Sequence, residues 1–219
     1  MIFSISWWKR RRRLSAESSP AREGKVVEPL RFPLRSPGRI ALLDSAFQTK
    51  DGVQKFASSD IVWLRQYAPE AIVCPLAVAL WLADQKMRGL LELPSLNTAI
   101  IVITSFEDSP LEDHHRDLLW RAFRLPVFEQ LRGPDGKVLA RECEVHDGLH
   151  LAEPVITPRL EDRELVLLHL DSAADHLVRT QTGVSAEIVN DHCECGSETP
   201  RLRKLISLHP KAAATAGGR

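Results

Sequence analysis

The sequence predicts an α/β fold in which a βαβ layer is followed by a small antiparallel β region. Between residues 38 and 132, apolar runs of strand length alternate with helical segments, which is typical of βαβ units around a largely parallel sheet. From residue 133 onward, short β-type runs are separated by Asp-Gly, Glu-Asp and Thr-Gly turns, and this pattern favours an antiparallel meander or a small barrel. The 219 residues are 44% hydrophobic, so the chain can form a good-sized core.

The predicted domain boundaries follow changes in composition. Arg, Ser and Pro are frequent in residues 1–37, which predicts a basic, largely irregular N-terminal arm. An α/β subdomain is expected over residues 38–132 and a β-rich subdomain over residues 133–208. The small residues of segment 209–219 predict a disordered tail.

In the α/β subdomain, local signals mark where the helices begin and end. Asp60 is a capping-type residue before a helix predicted over 61–67. Pro75 suits a first helical turn and Gly89 suits a helix end, so the apolar run between them predicts a helix over 76–87. The β-branched run at 98–104 is typical of a strand buried on both faces. The remaining predictions are a helix over 111–123 and strands over 40–43, 71–74 and 126–129.

The β-rich subdomain carries the antiparallel part of the prediction. Its β-type runs are short and end at turn residues, as in hairpins and meanders. The strands are predicted over 137–144, 154–160, 164–170, 176–180 and 185–189.

The charge balance restricts the class of partner. Lys plus Arg and Asp plus Glu both total 29, so binding to nucleic acid through global basicity is not expected. The basic block that ends at Arg13 follows Trp7 and Trp8, and weak contact with an anionic membrane surface by Trp7, Trp8 and Arg10 to Arg13 is one alternative. No apolar run reaches the ~20 residues of a membrane-spanning helix, and no signal-peptide pattern is visible, so a cytoplasmic location is expected.

The cysteines divide into one isolated residue and one group. Four cysteines without a signal peptide indicate reduced thiols rather than a disulfide framework. Cys74 lies in an apolar run and is expected to be a small buried hydrophobic residue. The other three cysteines lie in a segment that is also rich in histidine.

That segment predicts a structural metal site. Cys143 and His150 flank an Asp-Gly turn, while Cys193 and Cys195 alternate on an extended stretch and can direct both sulfurs to one ion. Thiolate and imidazole are the preferred ligands of tetrahedral zinc, and four protein ligands leave no open position for catalysis. Either His146 or His192 could replace His150, and reduced thiols with surface histidines are the alternative to a metal site.

Several motifs resemble, in the same order, the phenylacetate-CoA ligase-like adenylate-forming enzymes. The resemblance covers roughly residues 60 to 206. In that family the Glu-Cys, Gly-Leu-His and Cys-x-Cys-Gly elements resemble a structural metal cluster, and this chain has all of them. The matching segments are 67–76, 98–104, 125–130, 139–143, 147–153, 164–170, 177–183 and 193–202.

The departures from the family pattern concern the chemistry of adenylation. Nothing in residues 1–60 resembles the phosphate-binding loop, and segment 131–136 replaces the Tyr-Gly-x-Thr-Glu motif whose glutamate helps hold magnesium. Val184 stands where the family has an aspartate for the ribose hydroxyls, and we expect the protein to lack the family's mobile C-terminal domain with its lysine. Because adenylation needs positioned phosphates, magnesium and a cation, we expect a shortened relative that does not bind ATP and Mg²⁺ and is no ligase by itself.

Three functional hypotheses follow from these observations. The first is a non-catalytic, zinc-stabilised binding or accessory protein. The second is a component of a split AMP-forming CoA ligase that needs a partner chain for ATP binding. The third is a membrane-surface or nucleic-acid adaptor that uses the basic arm. Because Leu76–Leu82 and Ala99–Ile103 are strongly apolar, we also expect an apolar face that binds a second copy or a protein partner.

Overall fold

The computed structural model describes residues 30–44, 53–57, 60–108, 110–133, 136–152, 155–171 and 176–208. The strands within these residues are β1 (Ile40–Leu42), β2 (Val53–Lys55), β3 (Ala71–Pro75), β4 (Ala99–Ser105), β5 (Val127–Arg132), β6 (Val138–Glu142), β7 (Leu149–Leu151), β8 (Val155–Glu161), β9 (Glu164–Asp171), β10 (His176–Gln181), β11 (Val184–Val189) and β12 (Arg201–Ser207). The helices are α1 (Ile61–Tyr67), α2 (Leu76–Met87) and α3 (Asp113–Phe123).

One mixed sheet runs through most of the described chain. Its strand order is β11-β12-β7-β6-β5-β4-β3-β1-β2. The pairs from β5 to β2 are parallel, whereas the pairs from β5 to β11 are antiparallel. The predicted α/β fold class, with parallel strands followed by antiparallel ones, is therefore confirmed. The sheet passes without interruption across the domain boundary predicted at residue 133.

The antiparallel strands do not stay together as the sequence suggested. Strands β8, β9 and β10 form a separate three-stranded antiparallel meander, whereas β6, β7, β12 and β11 extend the large sheet. The expected small barrel is therefore not found in the described residues. The reason is that β5 offers an open edge beyond the parallel part, and β6 pairs with that edge from Gln130 onward.

The helices form where the sequence places their boundaries. α1 and α2 have the predicted bounds, and Pro75 precedes α2 in an extended conformation with ψ of 154°. α3 begins two residues later than predicted, at Asp113, because Glu112 takes the N-cap position. The Glu112 side chain accepts from the backbone of His115, and the ring of His115 accepts from the backbone of Glu112, so the first turn is capped on both sides.

The parallel sheet is covered on both faces. Ile100 and Val102 of β4 face a cluster that includes Leu64 of α1, Leu82 of α2 and Leu119 of α3. The alternate residues of β4 face the opposite cluster, in which Leu30 and Phe32 of the N-terminal segment pack against the sheet. The prediction that this strand is buried on both faces is confirmed, since every residue of Ala99–Ile103 is at most 6% exposed.

Part of the apolar surface that remains open lies on and beside the helices. Burial of Ala99–Ile103 means that this segment offers no open face. Large apolar side chains are instead exposed on and beside the three helices, and we call this set the helical face: Val62, Trp63, Met87, Leu90 and Trp120, each between 49% and 64% exposed. Arg65 of α1 donates to the carbonyl of Leu90, which joins α1 to the end of α2.

The irregular N-terminal segment contacts the sheet. Residues 30–37 have no regular secondary structure, as predicted, although the carbonyl of Arg31 accepts a 2.8 Å hydrogen bond from Gln130. The membrane-contact hypothesis for Trp7, Trp8 and Arg10 to Arg13 lies outside the described residues. Among the helices that are described, none is long and apolar enough to cross a membrane.

Candidate metal centre

Two short turns on neighbouring strands present the candidate ligands. Cys143 directly follows β6, and its carbonyl accepts from the N–H of His146 at 3.2 Å. Cys193 lies between β11 and β12, and its carbonyl accepts from the N–H of Gly196 at 2.9 Å. Both turns need a residue with positive φ, which is 58° at His146 and 85° at Gly196. Each turn therefore folds back on its own cysteine.

Strand pairing brings the two turns together. β12 pairs with β7 so that Arg201 lies opposite His150 and Leu202 opposite Leu149. Gly148 makes this approach possible, because its φ is 89° and a Cβ there would lie 2.7 Å from the carbonyl oxygen of Leu202. A larger residue at this position would push β12 away from β7 and would open the space between the turns.

The four predicted ligands meet at one point. The Sγ atoms of Cys143, Cys193 and Cys195 and a ring nitrogen of His150 all lie within 4.8 Å of one another. Cys143, Cys193 and His150 are at most 9% exposed, and Cys195 is partly exposed. The four residues that the sequence predicted as ligands therefore lie together, and their binding of a metal remains a prediction.

The spacing of the donor atoms agrees with the dimensions of a zinc–thiolate site. Zn–S bonds of about 2.3 Å and Zn–N bonds of about 2.0 Å place ligand atoms of a tetrahedron about 3.5–3.8 Å apart. The Sγ atoms of Cys143 and Cys193 are 3.9 Å apart, and Sγ of Cys195 is 3.4 Å from Nε2 of His150. These two distances are close to those between the ligand atoms of such a tetrahedron, so these donor atoms need to move very little to bind the ion.

The ring of His150 is held in the orientation that a ligand needs. Its Nδ1 lies 3.1 Å from Oγ1 of Thr199, and the Thr199 hydroxyl in turn lies 2.9 Å from Oγ of Ser197. When Nδ1–H donates to Thr199, Nε2 faces the sulfurs with its lone pair. Metal-bound histidines commonly donate their second ring N–H in this way, which fixes the tautomer.

The protein environment shifts the pKa values of three of the four donors. Burial lowers the pKa of His150, so the ring is neutral at physiological pH. Burial raises the pKa of Cys143 to about 11. Burial acts to raise the pKa of Cys193 as well, but hydrogen bonds from the Cys195 N–H, the neighbouring thiols and Arg201 outweigh it and lower the pKa. Cys193 is therefore the thiol that ionises first.

A buried arginine supports the second turn. The side chain of Arg201 is 2% exposed, and its guanidinium donates to Asp147 at 2.6 Å and to Asp191. Asp147 belongs to the turn after β6, and it also accepts from Arg203. A site of three thiolates, one imidazole and a divalent ion has one excess negative charge, which the guanidinium beside Cys193 offsets.

The other histidines of the segment have different environments. Nδ1 of His146 lies 2.9 Å from Oε1 of Glu142, and its ring stacks on Phe128 with 4.8 Å between the centroids. His192 is exposed. Neither ring contributes to the four-donor group, so His150 is the histidine that the geometry favours.

Cys74 lies apart from the cluster, as expected. It is fully buried among the apolar side chains under α2, and burial raises the pKa of its thiol far above the ordinary range. The prediction that Cys74 is a small buried hydrophobic residue is confirmed.

Two supporting residues were not found from the sequence. Thr199 and Arg201 lie in the matching segment 193–202, but the sequence assigned them no role, because their roles depend on the pairing of β12 with β7 and neither strand was predicted. The available signal was the apolar–charged alternation after Pro200, which is typical of a half-buried strand.

Comparison with known sequences gives no relative. No protein-family model matches the chain, and no curated protein matches it. Any relationship to known proteins therefore depends on the structure.

Comparison with solved structures does give matches. An open conformation of 2-hydroxyisobutyryl-CoA ligase, in complex with 2-HIB-AMP and CoA, superposes with a TM-score of 0.61 over 77% of this chain and 44% of the ligase, at 16% identity. Coronafacic acid ligase from Pectobacterium brasiliense aligns over 68% of this chain and 33% of its own length, with 10% identity and a TM-score of 0.47. No conclusion depends on this weaker match.

The stronger match defines what the fold is similar to. The chain spans less than half the length of the ligase that it matches, and an identity of 16% supports a shared fold alone. The polypeptide thus has the fold of part of an adenylate-forming CoA ligase.

Proposed function

We propose that this protein is a zinc-stabilised binding or accessory protein, built on part of an adenylate-forming ligase fold, that does not itself adenylate a substrate. The observation that carries the proposal is the group of four donors, Cys143, His150, Cys193 and Cys195, within 4.8 Å. Four protein ligands complete a tetrahedral shell, so the ion has a structural role and no position for a reacting water.

Val184 supports the absence of adenylation. The motif resemblance aligns this residue with an aspartate that binds ribose hydroxyls. Val184 is 5% exposed and packs in the apolar cluster of Leu165, Leu167 and Leu202. An apolar side chain directed into the core offers no hydrogen bond to a ribose, so the chain lacks one of the contacts that position a nucleotide.

The helical face supports a role in binding. Its five side chains include two tryptophans that are 62% and 49% exposed, Trp63 and Trp120. Aromatic side chains and methionine are enriched in protein interfaces, where they supply large buried area. We therefore propose that a second copy of the chain or a protein partner covers this face.

The test combines metal analysis with light scattering on the purified protein. We expect about one zinc per chain and self-association or a co-purifying partner at both about 0.05 M and about 1 M salt, because apolar contacts persist when charges are screened. Trp63→Ser together with Trp120→Ser should release the partner, whereas Leu177→Ser, an equally exposed apolar residue of β10, should not. If the native protein contains no metal, the proposed zinc site is rejected. If the protein is a monomer under both salt conditions, the proposed binding role is rejected.

A second candidate is a component of a split AMP-forming CoA ligase. The observation in its favour is the same helical face, since a missing subdomain on a partner chain would cover it. Here the partner supplies the phosphate loop and the catalytic lysine. To test this candidate, the chain is mixed with the product of a neighbouring reading frame that encodes these segments. Pyrophosphate release from Mg-ATP by the mixture, and by neither chain alone, would favour this candidate, and an inactive stable complex would reject it.

A further inference from the structure

A cavity of about 620 Å³ lies between the start of α3, the turn after β6 and the beginning of β12. None of the four candidate metal ligands lines it. Its lining combines apolar side chains with buried charged ones, among them Leu111, Arg116, Glu129, Glu142, Leu149 and Leu205. The volume lies within the range of about 300–1,000 Å³ that small-molecule sites occupy.

One buried carboxylate in the cavity wall has its hydrogen bonds satisfied. The side chain of Glu142 is 3% exposed. Its Oε2 accepts from Nη1 of Arg116 at 3.0 Å and from the backbone N–H of Glu129 at 2.8 Å, and its Oε1 lies 2.9 Å from Nδ1 of His146. These contacts hold Glu142 in place, so its side chain forms a fixed part of the cavity wall at the end of β6.

The second buried carboxylate has a weaker cationic partner. The side chain of Glu129 is 7% exposed, and Nη2 of Arg116 lies 3.7 Å from its Oε2. Its Oε1 accepts from the hydroxyl of Thr104 at 2.7 Å. Arg116 also donates to the carbonyl of Val127, so one guanidinium is shared between two carboxylates and a backbone oxygen.

The charged side chains at the rim of the cavity do not compensate the negative charge of Glu129 and Glu142. Arg203 donates to Asp147, and Nζ of Lys204 lies 3.0 Å from Glu187, outside the cavity lining. Glu112 and Asp113 add two carboxylates at the start of α3, with Nδ1 of His114 3.2 Å from Glu112. The lining thus has an excess of negative charge with a buried carboxylate on its wall.

We propose that this cavity binds a small organic cation, such as a primary ammonium ion with an apolar body, whose charged group contacts Glu129. Leu111, Leu149 and Leu205 provide the apolar surface for the body of the ligand. A buried carboxylate with no full counter-charge is destabilised in its ionised form, and a cation that reaches it replaces the missing partner.

The protonation of Glu129 is consistent with this assignment. Burial raises the pKa of Glu129 to about 7, and the nearby charge of Glu142 acts in the same direction, while hydrogen bonds from Thr104 and the Leu111 backbone and the charge of Arg116 act against it. In the free protein a proton thus supplies part of the missing positive charge. A bound cation should displace that proton near neutral pH, so binding should release up to about one proton per chain.

Three probes of similar shape and different charge test whether the cavity requires a cation. Benzylamine is a cation near neutral pH, benzyl alcohol is neutral and benzoate is an anion. Isothermal titration of the metal-loaded wild-type protein should give saturable binding of benzylamine with a Kd of about 1 mM or below, at least about tenfold tighter than benzyl alcohol, with no binding of benzoate. The heat should differ between two buffers of different ionisation enthalpy, which reports the proton release.

Variants locate the binding to this cavity. Glu129→Gln keeps the acceptor for Thr104 but removes the charge, so it should weaken benzylamine binding about tenfold or more and leave benzyl alcohol unchanged. Glu92→Gln, at an exposed glutamate away from the cavity, should bind like the wild type. Leu205→Trp should fill the cavity and abolish binding while Glu129 is intact, which covers the case in which Glu129→Gln does not fold.

Three results would overturn the proposal. They are equal affinity of the wild type for the amine and the alcohol, unchanged amine binding in both cavity variants, and no saturable binding of benzylamine. The outcome does not depend on the metal, because zinc content and amine binding are measured separately and none of the metal ligands lines the cavity.

Discussion

The buried guanidinium of Arg201 donates to the carboxylate of Asp147, which lies fifty-four residues earlier in the chain. This single contact ties the turn that carries Cys143 to the strand that follows Cys195. Arg203 also donates to Asp147 and lowers the pKa of its carboxyl. The aspartate therefore stays charged over the working pH range and keeps the two turns of the metal centre in register.

Replacing Arg201 should weaken the metal centre. Arg201→Met removes one of the two arginine contacts to Asp147 and the positive charge beside Cys193. We therefore expect a lower melting temperature and metal affinity reduced by roughly tenfold, the scale seen when a group that supports metal ligands is removed. Competition with a chromogenic chelator measures the affinity. Lys204→Met is the control, since Nζ of Lys204 pairs with Glu187 on the surface. Equal metal retention in the two variants would contradict the assignment.

Loss of one thiolate should lower metal content and stability together. Cys193→Ser replaces a fully buried ligand, and we expect loss of zinc with a fall in melting temperature. Structural zinc contributes on the order of 10 kcal/mol in isolated finger peptides, and a domain with its own core should depend on it less. Elemental analysis and thermal melting are measured on the same sample. Cys74→Ser, at the isolated buried cysteine, should retain its metal, and zinc loss without any change in melting would remove the structural role.

The ring orientation of His150 should depend on Thr199. Thr199→Val removes the acceptor for Nδ1–H while it preserves the shape of the side chain. We expect about tenfold weaker metal binding with little change in the fold, measured by chelator competition and circular dichroism. Ser197→Ala, one step further from the ring, should have a smaller effect, and the reverse order would show that Thr199 does not orient the ring.

Glu129 should make stability fall as the pH rises. Its pKa is about 7 in the folded protein, mainly because of burial, and 4.5 is its ordinary value. Between these values the folded state holds a proton that the unfolded state has lost, so the free energy of unfolding decreases with increasing pH, by on the order of 3 kcal/mol in total. Above neutral pH the penalty is complete.

Urea unfolding at a series of pH values between about 5 and 8 measures this slope. Glu129→Gln should flatten it and should be more stable than the wild type at the alkaline end. Glu92→Gln, with an exposed carboxyl, should keep the wild-type slope. A wild-type profile without this decline would show that Glu129 ionises normally.

The protein alone should not bind nucleotide. Because Val184 is buried and cannot accept from a ribose hydroxyl, we expect no saturable thermal shift with Mg-ATP below about 1 mM, which corresponds to roughly −4 kcal/mol of binding. Val184→Asp is not a useful rescue, since it would place a charge in the apolar cluster. A saturable shift in the wild type would contradict the non-adenylating assignment.

The grouping of the four candidate metal ligands could be predicted because their chemistry is visible in residue type and spacing. A group of thiols and imidazoles has few roles other than metal binding. Cys-x-Cys on an extended backbone directs both sulfurs to one side. The bounds of α2 were also predictable, since Pro75 and Gly89 mark local conformations that do not depend on the rest of the chain.

The missed features depend on contacts between distant segments. β7 has only three residues and β12 alternates with charges, so neither is distinctive, and their pairing joins segments fifty residues apart. The cavity depends on Arg116 reaching Glu142 across twenty-six positions, and sequence periodicity carries no information on such a contact. Of the predicted meander or small barrel, the meander is present in β8–β10, whereas β6, β7, β12 and β11 continue the large sheet from the edge of β5.

The 3.9 Å approach of the Cys143 and Cys193 sulfurs closes a loop of fifty residues. Within that loop lie the β8–β10 meander and β11, whose neighbouring strands can form locally before the ends meet. Joining the ends of such a loop costs on the order of 3–4 kcal/mol in chain entropy. We expect an ion bound by both turns to hold the ends of this loop together once β12 has paired with β7, and so to stabilise the folded chain. Because such an ion would bind only after the ends have met, we expect chelation to accelerate unfolding more than it slows refolding.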